Sequence, residues 1–181
     1  MHRWKFDSGT KKKLRGLGRR LRNFTENLND DTETIPNPEK DPYRNYWHSH
    51  LSLSKTYIDS ANTPNSVRRF CMQATIDRVQ YLISLKTEKE KDYRILTSIC
   101  LPDYFDSTMI VFFDDDTFNR FFIRESEYLR WIPLPSDRDI AKEWHLSVPE
   151  GLELRGYKQI IKDVEEDDLR VGEIWFVGEI G

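Results

Sequence analysis

The feature that most restricts the fold of this chain is residues 63–86, where apolar side chains recur with the period of an α-helix. Thr63 and Pro64 favour a helix start, because a capping residue is followed by proline in the first turn. One apolar face contains Val67, Phe70, Cys71, Ala74, Tyr81, Leu82 and Leu85. A second face, roughly 120° around the helix, contains Met72, Ile76, Val79 and Ile83. The pattern predicts a central helix with packing partners on two sides.

Segments typical of β-strands accompany this helix, because they are rich in β-branched and aromatic residues or alternate between apolar and polar ones. They are residues 47–54, 93–101, 107–113, 152–163 and 171–180. Residues 126–135 are ambiguous, and their two prolines restrict them to an edge strand or a connection. Strand patterns separated by few helices favour an α+β fold, with an antiparallel sheet of about four to five strands packed on the helix 63–86.

The N-terminal part of the chain combines positive charge with an apolar seam, since residues 11–24 carry seven lysines and arginines. The seam consists of Leu14, Leu17, Leu21, Phe24 and Leu28, which lie on one side of a helix. Residues 29–46 contain three prolines and few apolar side chains, which is typical of a linker. We therefore divide the chain into a basic amphipathic helical arm (1–28), a polar linker (29–46) and a single α+β domain (47–181).

The basic side chains of the arm allow three interpretations. They are Lys11, Lys12, Lys13, Arg15, Arg19, Arg20 and Arg22. They could bind nucleic-acid phosphates, with an affinity that falls steeply as salt rises, or lie on an anionic membrane, although the seam is narrow. Alternatively, the leucines dock on the rest of the chain while the arginines face its acids. Residues 1–24 have a net charge of +8 and the remainder −11, which favours docking first, nucleic acid second and membrane third.

Composition and cysteine content exclude several classes of protein. With 38% hydrophobic and 13% aromatic residues, the 181-residue chain can bury a core. Cys71 and Cys100 form neither a disulfide framework nor a zinc motif, so we expect a reducing compartment. The sequence contains no apolar run of about 18 residues that could span a membrane, and no secretory signal pattern. We expect a cytoplasmic protein.

Two arginines and two histidines are candidates for an anion-binding site. Arg78 projects into the first apolar face of the central helix and Arg68 lies between the two faces, where an unpaired charge would be very costly. The simpler interpretation is structural pairing of both arginines, and the functional one is an anion pocket that also includes His48 and His50. The histidines share one side of their predicted strand, as ligands of one metal would, but a metal site needs more ligands. We predict no metal and no cofactor.

Two acidic runs lie at predicted turns, and solvation is their simplest role. They comprise Asp114, Asp115 and Asp116, and Glu165, Glu166, Asp167 and Asp168. The alternative is an electronegative face that meets a basic protein partner. The sequence contains no Gly-rich phosphate loop, nucleophile elbow or Cys/His dyad, so an enzyme is not favoured, although the question stays open.

Several stretches together resemble a known family: YWHSHL, TPNSVRRFC, PLPSDRDIAKEW, VPEGLE and GEIWFVGEI. The family comprises bacterial proteins, mainly from Bacillus-like organisms, and is defined only as a domain of unknown function. The resemblance extends from about Lys12 to the C-terminus. It implies a bacterial, cytoplasmic origin and transfers no catalytic residue.

Three functional hypotheses follow from the sequence. The preferred one is a protein-binding module whose acidic surface engages a basic partner, such as an immunity or antitoxin-type protein that neutralises a nuclease. The alternative is a nucleic-acid-binding protein that uses residues 11–22. The third is an enzyme or binder that acts on an anionic ligand through Arg68 and Arg78 with His48 and His50. The sequence does not indicate the oligomeric state.

Overall fold

The computed structural model describes residues 16–35, 46–50, 64–101, 106–113, 115–122, 129–162 and 169–180, with the backbone alone at some positions, including all of 46–50. The helices are α1 (Leu17–Asp31), α2 (Asn65–Ser84), α3 (Asp115–Phe122) and α4 (Ile140–Trp144). The strands are β1 (Tyr46–His50), β2 (Arg94–Leu101), β3 (Asp106–Phe112), β4 (Leu129–Pro133), β5 (Leu152–Lys162) and β6 (Leu169–Glu179). A short 3-10 helix spans Glu88–Glu90.

The described strands form one antiparallel sheet in the order β1-β3-β2-β6-β5-β4. The predicted α+β class, with an antiparallel sheet packed on a central helix, is confirmed. The sheet has six strands rather than four to five, because the short β1 and the ambiguous β4 both pair as edge strands. Pro133 ends β4, and proline is tolerated at an edge because no neighbouring strand needs its missing N–H.

The helix α2 is the predicted central helix and agrees with the predicted bounds to within two residues at each end. Pro64 itself occupies the N-cap position, without a side-chain hydrogen bond, so the helix begins one residue later than the capping pattern predicted. None of the described helices is long and apolar enough to cross a membrane.

The main core lies between α2 and one face of the sheet. Ile95 and Ile99 of β2 and Trp175 and Val177 of β6 are fully buried there, because alternate residues of a strand point to the same face. From α2 they meet Val67, Cys71, Met72, Ile76, Val79 and Leu82. The helix α4 adds Trp144, whose ring meets Trp175 edge-on with the ring centres 5.4 Å apart.

Aromatic rings cover the opposite face of the sheet. Phe176 of β6 meets Phe118 of α3 edge-on at 5.1 Å and lies 6.1 Å from Trp131 of β4. Phe112 and Tyr157 extend the cluster on either side. Because both faces are covered, β2 and β6 are apolar along most of their length instead of alternating with polar residues.

The helix α1 packs against α2 and contributes to the main core. Phe24 and Leu28 are buried, and Leu17 and Leu21 pack at the margin. The helix dipole favours acids in the first turn of a helix and basic residues in the last turn, and α1 has neither. Its first turn also has no side-chain cap. Packing must therefore stabilise α1. Residues 29–31, which the sequence assigned to the linker, belong to this helix, and residues 36–45 lie outside the described ranges.

Arg138 fastens the loop before α4 to the sheet. Its guanidinium donates two hydrogen bonds to Glu143, at 2.8 and 2.9 Å, and one to Glu173 of β6, at 2.6 Å. The hydrogen bonds that Arg138 donates to the two carboxylates raise its pKa. Asp139 caps α4 by accepting from the backbone N–H of Lys142 at 2.9 Å. The charged groups of this segment therefore serve the fold.

Gly178 allows β6 to approach β2 closely, since a Cβ there would lie 2.6 Å from the carbonyl oxygen of Ile95. We expect Gly178→Ala to lower the free energy of unfolding by about 1–3 kcal/mol through overpacking. Gly18 of α1 provides the control, because a Cβ there meets nothing within 4 Å. Gly18→Ala is expected to raise the free energy of unfolding by about 0.5–1 kcal/mol. Urea denaturation measures both, and equal stability of the two variants would contradict the close approach.

Candidate functional site

An apolar stripe runs along the outer surface of α2. We define it as Phe70, Ala74, Tyr81 and Leu85. Phe70 is 41% exposed, Tyr81 47% and Leu85 40%. The four positions lie within roughly 60° around the helix axis and extend over about 22 Å of its length. The charged residues Asp77 and Arg78 lie between Ala74 and Tyr81, so the stripe consists of two apolar pairs on one side of the helix.

The helix α1 forms the second wall of a groove beside this stripe, which we call the α1–α2 groove. The groove has a volume of about 390 Å³ and is open to solvent. It is lined by Thr25 and Asn29 of α1 and by Phe70, Gln73, Ala74, Asp77, Arg78 and Tyr81 of α2. The lining combines two exposed aromatic rings and an alanine with five polar side chains, so it can contact apolar side chains and orient them through hydrogen bonds.

Arg78 connects the two walls of the groove. Its Nε donates to Thr32 Oγ1 at 2.7 Å, and one terminal nitrogen donates to the backbone oxygens of Asn29, at 3.0 Å, and Thr32, at 2.5 Å. These oxygens belong to the C-terminal end of α1, where helix carbonyls have no partner within their own helix. Arg78 therefore supplies from α2 the positive charge that the last turn of α1 lacks.

The same guanidinium lies over the ring of Tyr81, with Cζ 4.5 Å from the ring centre. Partial burial lowers the pKa of Arg78, and the nearby Tyr81 and Glu33 act in the opposite direction. Arginine remains charged under such conditions, so the cation–π contact persists. The contact holds the most exposed ring of the stripe in place before any ligand arrives.

Gln73 fixes the opposite side of the groove. It pairs with the backbone of Ser147: the Ser147 N–H donates to Oε1 at 2.8 Å, and Nε2 donates to the Ser147 oxygen at 2.9 Å. Nε2 also donates to Asp77 Oδ1 at 2.9 Å. The segment that follows α4 is thereby attached to α2, and the polar rim of the groove is pre-oriented.

The residues predicted to bind an anion do not all gather at this groove. Arg68 is buried, at 2% exposure, and has an interaction of its own within the chain. It lies ten residues before Arg78, which corresponds to about 15 Å along the helix. The register pairs His48 with Thr108 and His50 with Asp106 in β3. The side chains of both histidines lie outside the described residues, so an anion pocket that includes them stays a prediction.

The two acidic runs are attached to opposite ends of the sheet. Asp115 forms an ion pair with Arg94, which also donates to the backbone oxygen of Glu179 at 2.6 Å, at the end of β6. The second run directly precedes Leu169, the first residue of β6, about 33 Å away by the rise of an extended strand. Asp116 is exposed, whereas Asp114 and residues 165–168 lie outside the described residues.

The structure describes only part of the basic stretch. Arg19 and Arg22 are exposed on α1, and Arg20 is half-buried with an interaction of its own. Lys11, Lys12, Lys13 and Arg15 lie outside the described residues. The apolar seam faces α2, so the exposed arginines lie on the outer side of the docked helix. Among the described residues, no group of three or more His, Cys, Asp and Glu side chains is arranged to hold a metal ion.

Cys71 is unsuited to nucleophilic chemistry. Its side chain is completely buried, and burial raises the pKa of the thiol to about 12. The thiolate is the reactive form, so Cys71 is unreactive in the folded chain at neutral pH.

This burial predicts a dependence of stability on alkaline pH. Below pH 9.0, the ordinary pKa of the thiol, both folded and unfolded forms keep the proton. Between pH 9 and 12 only the unfolded form loses it, so the free energy of unfolding should fall by up to about 4 kcal/mol from this group. Denaturation across this range should show a shallower fall for Cys71→Ala than for the wild type. Identical slopes would contradict a buried, protonated thiol.

A family assignment accompanies this geometry. A family model described as "Protein of unknown function (DUF3916)" matches residues 25–179. The chain belongs to this family. No curated protein and no solved structure matches it. The resemblance to a domain of unknown function is confirmed, and the matched region begins at Thr25, so it includes the groove-lining residues and leaves out the basic residues 11–22.

Sequence reasoning missed the stripe because it grouped these residues with the buried side of α2. The predicted first face included Phe70, Tyr81 and Leu85, which are exposed; its remaining large members are buried. The apolar sector is wider than the strip that α1 and the sheet cover. That excess width, about 60° around the helix axis, was visible in the sequence and could have identified the stripe.

Proposed function

We propose that this chain is a protein-binding module whose binding surface is the α1–α2 groove with its apolar stripe. The observation that supports the proposal is the exposure of Phe70, Tyr81 and Leu85 along one side of one helix, in a chain that is 33% charged. Exposed large apolar side chains that share one side of a helix are typical of a surface that a partner covers.

The chemistry of the groove agrees with this proposal. Tyrosine and arginine are enriched among the residues that contribute most binding energy at protein interfaces. Arg78 holds the ring of Tyr81, and Gln73 is held by Ser147, so a partner would meet side chains that are already ordered. Pre-ordered contacts lower the entropy cost of association.

The setting of the proposed activity is the one expected from the sequence, a bacterial cytoplasm. An immunity or antitoxin-type role, in which acidic residues meet a basic nuclease, is one form of the same proposal. Its acidic surface stays a prediction, because most residues of the two acidic runs lie outside the described ranges.

The test is a pull-down from nuclease-treated lysate of the source cell, with mass spectrometry to identify retained proteins. The wild-type chain should retain a protein in stoichiometric amount. The double variant Phe70→Ser/Tyr81→Ser should retain at least 30-fold less of it, since the loss of even one central aromatic contact worth about 2 kcal/mol weakens binding about 30-fold.

A matched control removes exposed apolar side chains elsewhere. Ile132→Ser/Ile180→Ser changes two exposed isoleucines, on β4 and after β6, and should retain the partner at the wild-type level. Thermal unfolding should show both double variants folded. Equal retention by all three chains would contradict the proposal.

Nucleic-acid binding is the second candidate, and the exposure of Arg19 and Arg22 on the outer side of α1 favours it. Arg19→Gln/Arg22→Gln should then weaken binding to a DNA or RNA duplex and reduce the slope of affinity against salt. An unchanged salt slope would contradict this candidate.

A further inference from the structure

The lining of the α1–α2 groove carries one acid and one base, on opposite sides of the stripe. By helix geometry, Asp77 and Arg78 each lie about 50° around the axis from the centre line of the stripe, in opposite directions. Arg78 donates to the oxygen of Asn29, so its side of the stripe faces α1. Asp77 accepts from Gln73, on the side that binds Ser147 after α4. One flank of the stripe is therefore basic and the other acidic.

Both charged groups can take a further partner. Among the described residues, the hydrogen bonds of Arg78 use Nε and one terminal nitrogen, Nη2, and a guanidinium also has N–H groups on Nη1. Asp77 is exposed and accepts from Gln73 at Oδ1, whereas both carboxylate oxygens are acceptors. An occupant that carries one base and one acid of its own would match both groups.

A second copy of the chain meets this requirement, and charge decides how it would be oriented. In a two-fold dimer the same surface of each copy meets its own counterpart. If the two α2 helices are antiparallel, equal flanks meet, and Arg78 lies opposite Arg78 of the other copy. If they are parallel, opposite flanks meet, and Asp77 of each copy lies opposite Arg78 of the other. Like charges across an interface are costly, so the parallel arrangement is favoured.

The shape of the helical layer favours the same orientation. The helix α1 packs over β1 and α2 over β2 and β6, so the two helices lie side by side on one face of the sheet. A two-fold axis across the helices would place α1 over α1 and α2 over α2. A two-fold axis along the helices exchanges the two sides of the layer, so α2 of each copy enters the α1–α2 groove of the other.

We infer that the occupant of the α1–α2 groove is a second copy of this chain, with the two α2 helices parallel about a two-fold axis. This inference rests on the proposed function and names the partner of the groove. Phe70 and Tyr81 of the two copies then meet along the seam, where aromatic rings pack edge-on or offset. Asp77 of each copy pairs with Arg78 of the other beside the seam.

Sedimentation equilibrium of the full-length chain tests for the dimer. The range is about 1 to 500 μM, because a contact two helices wide is small for a specific interface. The wild type should change from monomer to dimer across this range. Phe70→Ser/Tyr81→Ser should raise the dissociation constant at least 30-fold. The control Ile132→Ser/Ile180→Ser should keep it within threefold of the wild type.

A charge substitution tests the pairing across the seam. Asp77→Arg places an arginine opposite Arg78 of the other copy and should raise the dissociation constant at least tenfold at low salt. Asp92→Arg makes the same change of charge at an exposed position outside the groove lining, and should keep the constant within threefold. Equal dissociation constants for these two variants would overturn the pairing.

Disulfide formation tests the orientation. In the parallel dimer the two copies of residue 74 lie side by side. In an antiparallel pair centred between residues 77 and 78 they lie about 10 Å apart along the axis, beyond the Cα separation of about 7 Å that a disulfide allows. Mild oxidation should therefore link Ala74→Cys chains above the wild-type level, but not Arg69→Cys chains, whose substitution lies on another side of α2.

The outcomes separate this inference from the proposed function. A wild-type chain that stays monomeric throughout, or a dimer that Phe70→Ser/Tyr81→Ser leaves unchanged, would overturn the inference. The proposed function would still stand if the pull-down retained a different protein that the same double variant loses. Equal retention by all chains in the pull-down, together with a monomeric wild type, would overturn both.

Discussion

Replacing Phe24 by alanine is expected to lower the free energy of unfolding by about 3–5 kcal/mol, because a fully buried ring is lost from the core. Phe24 lies between α1 and α2, where it is part of the same core cluster as Ile95 and Trp175. Chemical denaturation, followed by tryptophan fluorescence and by circular dichroism, measures the loss.

The control for this substitution is the preceding residue. Asn23 is exposed on the same turn of α1, and Asn23→Ala is expected to change stability by less than about 0.5 kcal/mol. A loss below about 1 kcal/mol for Phe24→Ala would mean that α1 does not belong to the folded unit. The α1–α2 groove would then have only one wall, and the proposed function would lose its structural basis.

Replacing Arg78 by alanine is expected to lower the free energy of unfolding by about 3 kcal/mol, since hydrogen bonds of charged groups contribute about 1.5–3 kcal/mol each. The substitution leaves the buried hydroxyl of Thr32 and two backbone oxygens without this donor. It also releases the ring of Tyr81. In the Arg78→Ala variant, the increase in hydrogen exchange relative to the wild type should be larger along α1 than along α2.

The hydrogen bonds that Arg78 donates to Asn29 and Thr32 form a cap on the end of α1. A double-mutant cycle separates the contribution of this cap from the general effect of removing a charge. Arg78→Ala and Thr32→Ala together should be less destabilising than the sum of the two, with a coupling of about 1–2 kcal/mol. Arg69→Ala, at an exposed position of the same helix, should be nearly neutral. Additive effects of Arg78→Ala and Thr32→Ala would show that the hydrogen bond from Arg78 Nε to Thr32 Oγ1 is not formed, since Thr32→Ala keeps the two backbone acceptors.

The sequence identified the elements of the fold because periodicity reports burial directly. The helix α2, the central strands β2 and β3, and the α+β class all followed from it, since their apolar residues recur with the period of the structure that buries them. The order of the strands did not follow. It depends on which strand pairs with which, and the pairing of β2 with β6 joins residues about 80 positions apart in the sequence.

The candidate site was harder to predict for a physical reason. A pattern of apolar residues shows that a face avoids water but not which element covers it. Tyr81 and Val79 both count as apolar positions of the helical pattern, yet Tyr81 is exposed and Val79 is completely buried. The cap formed by Arg78 could not be foreseen either, because its partners Asn29 and Thr32 lie in a segment that the sequence assigned to a linker.

The two acidic runs show the same limitation. Because both runs are acidic, they were expected to form one surface. They adjoin opposite ends of β6.

Hydrogen exchange of the full-length chain, alone and bound to the protein that it retains in the pull-down, shows directly whether the α1–α2 groove is the binding surface. Exchange should slow on binding in residues 66–85 and 25–29, the two walls of the α1–α2 groove, with little change in β5 and β6. Protection confined to residues 114–116 and 163–168 would contradict it and support an acidic surface at the turns. Protection confined to residues 11–22 would contradict it in favour of the basic stretch.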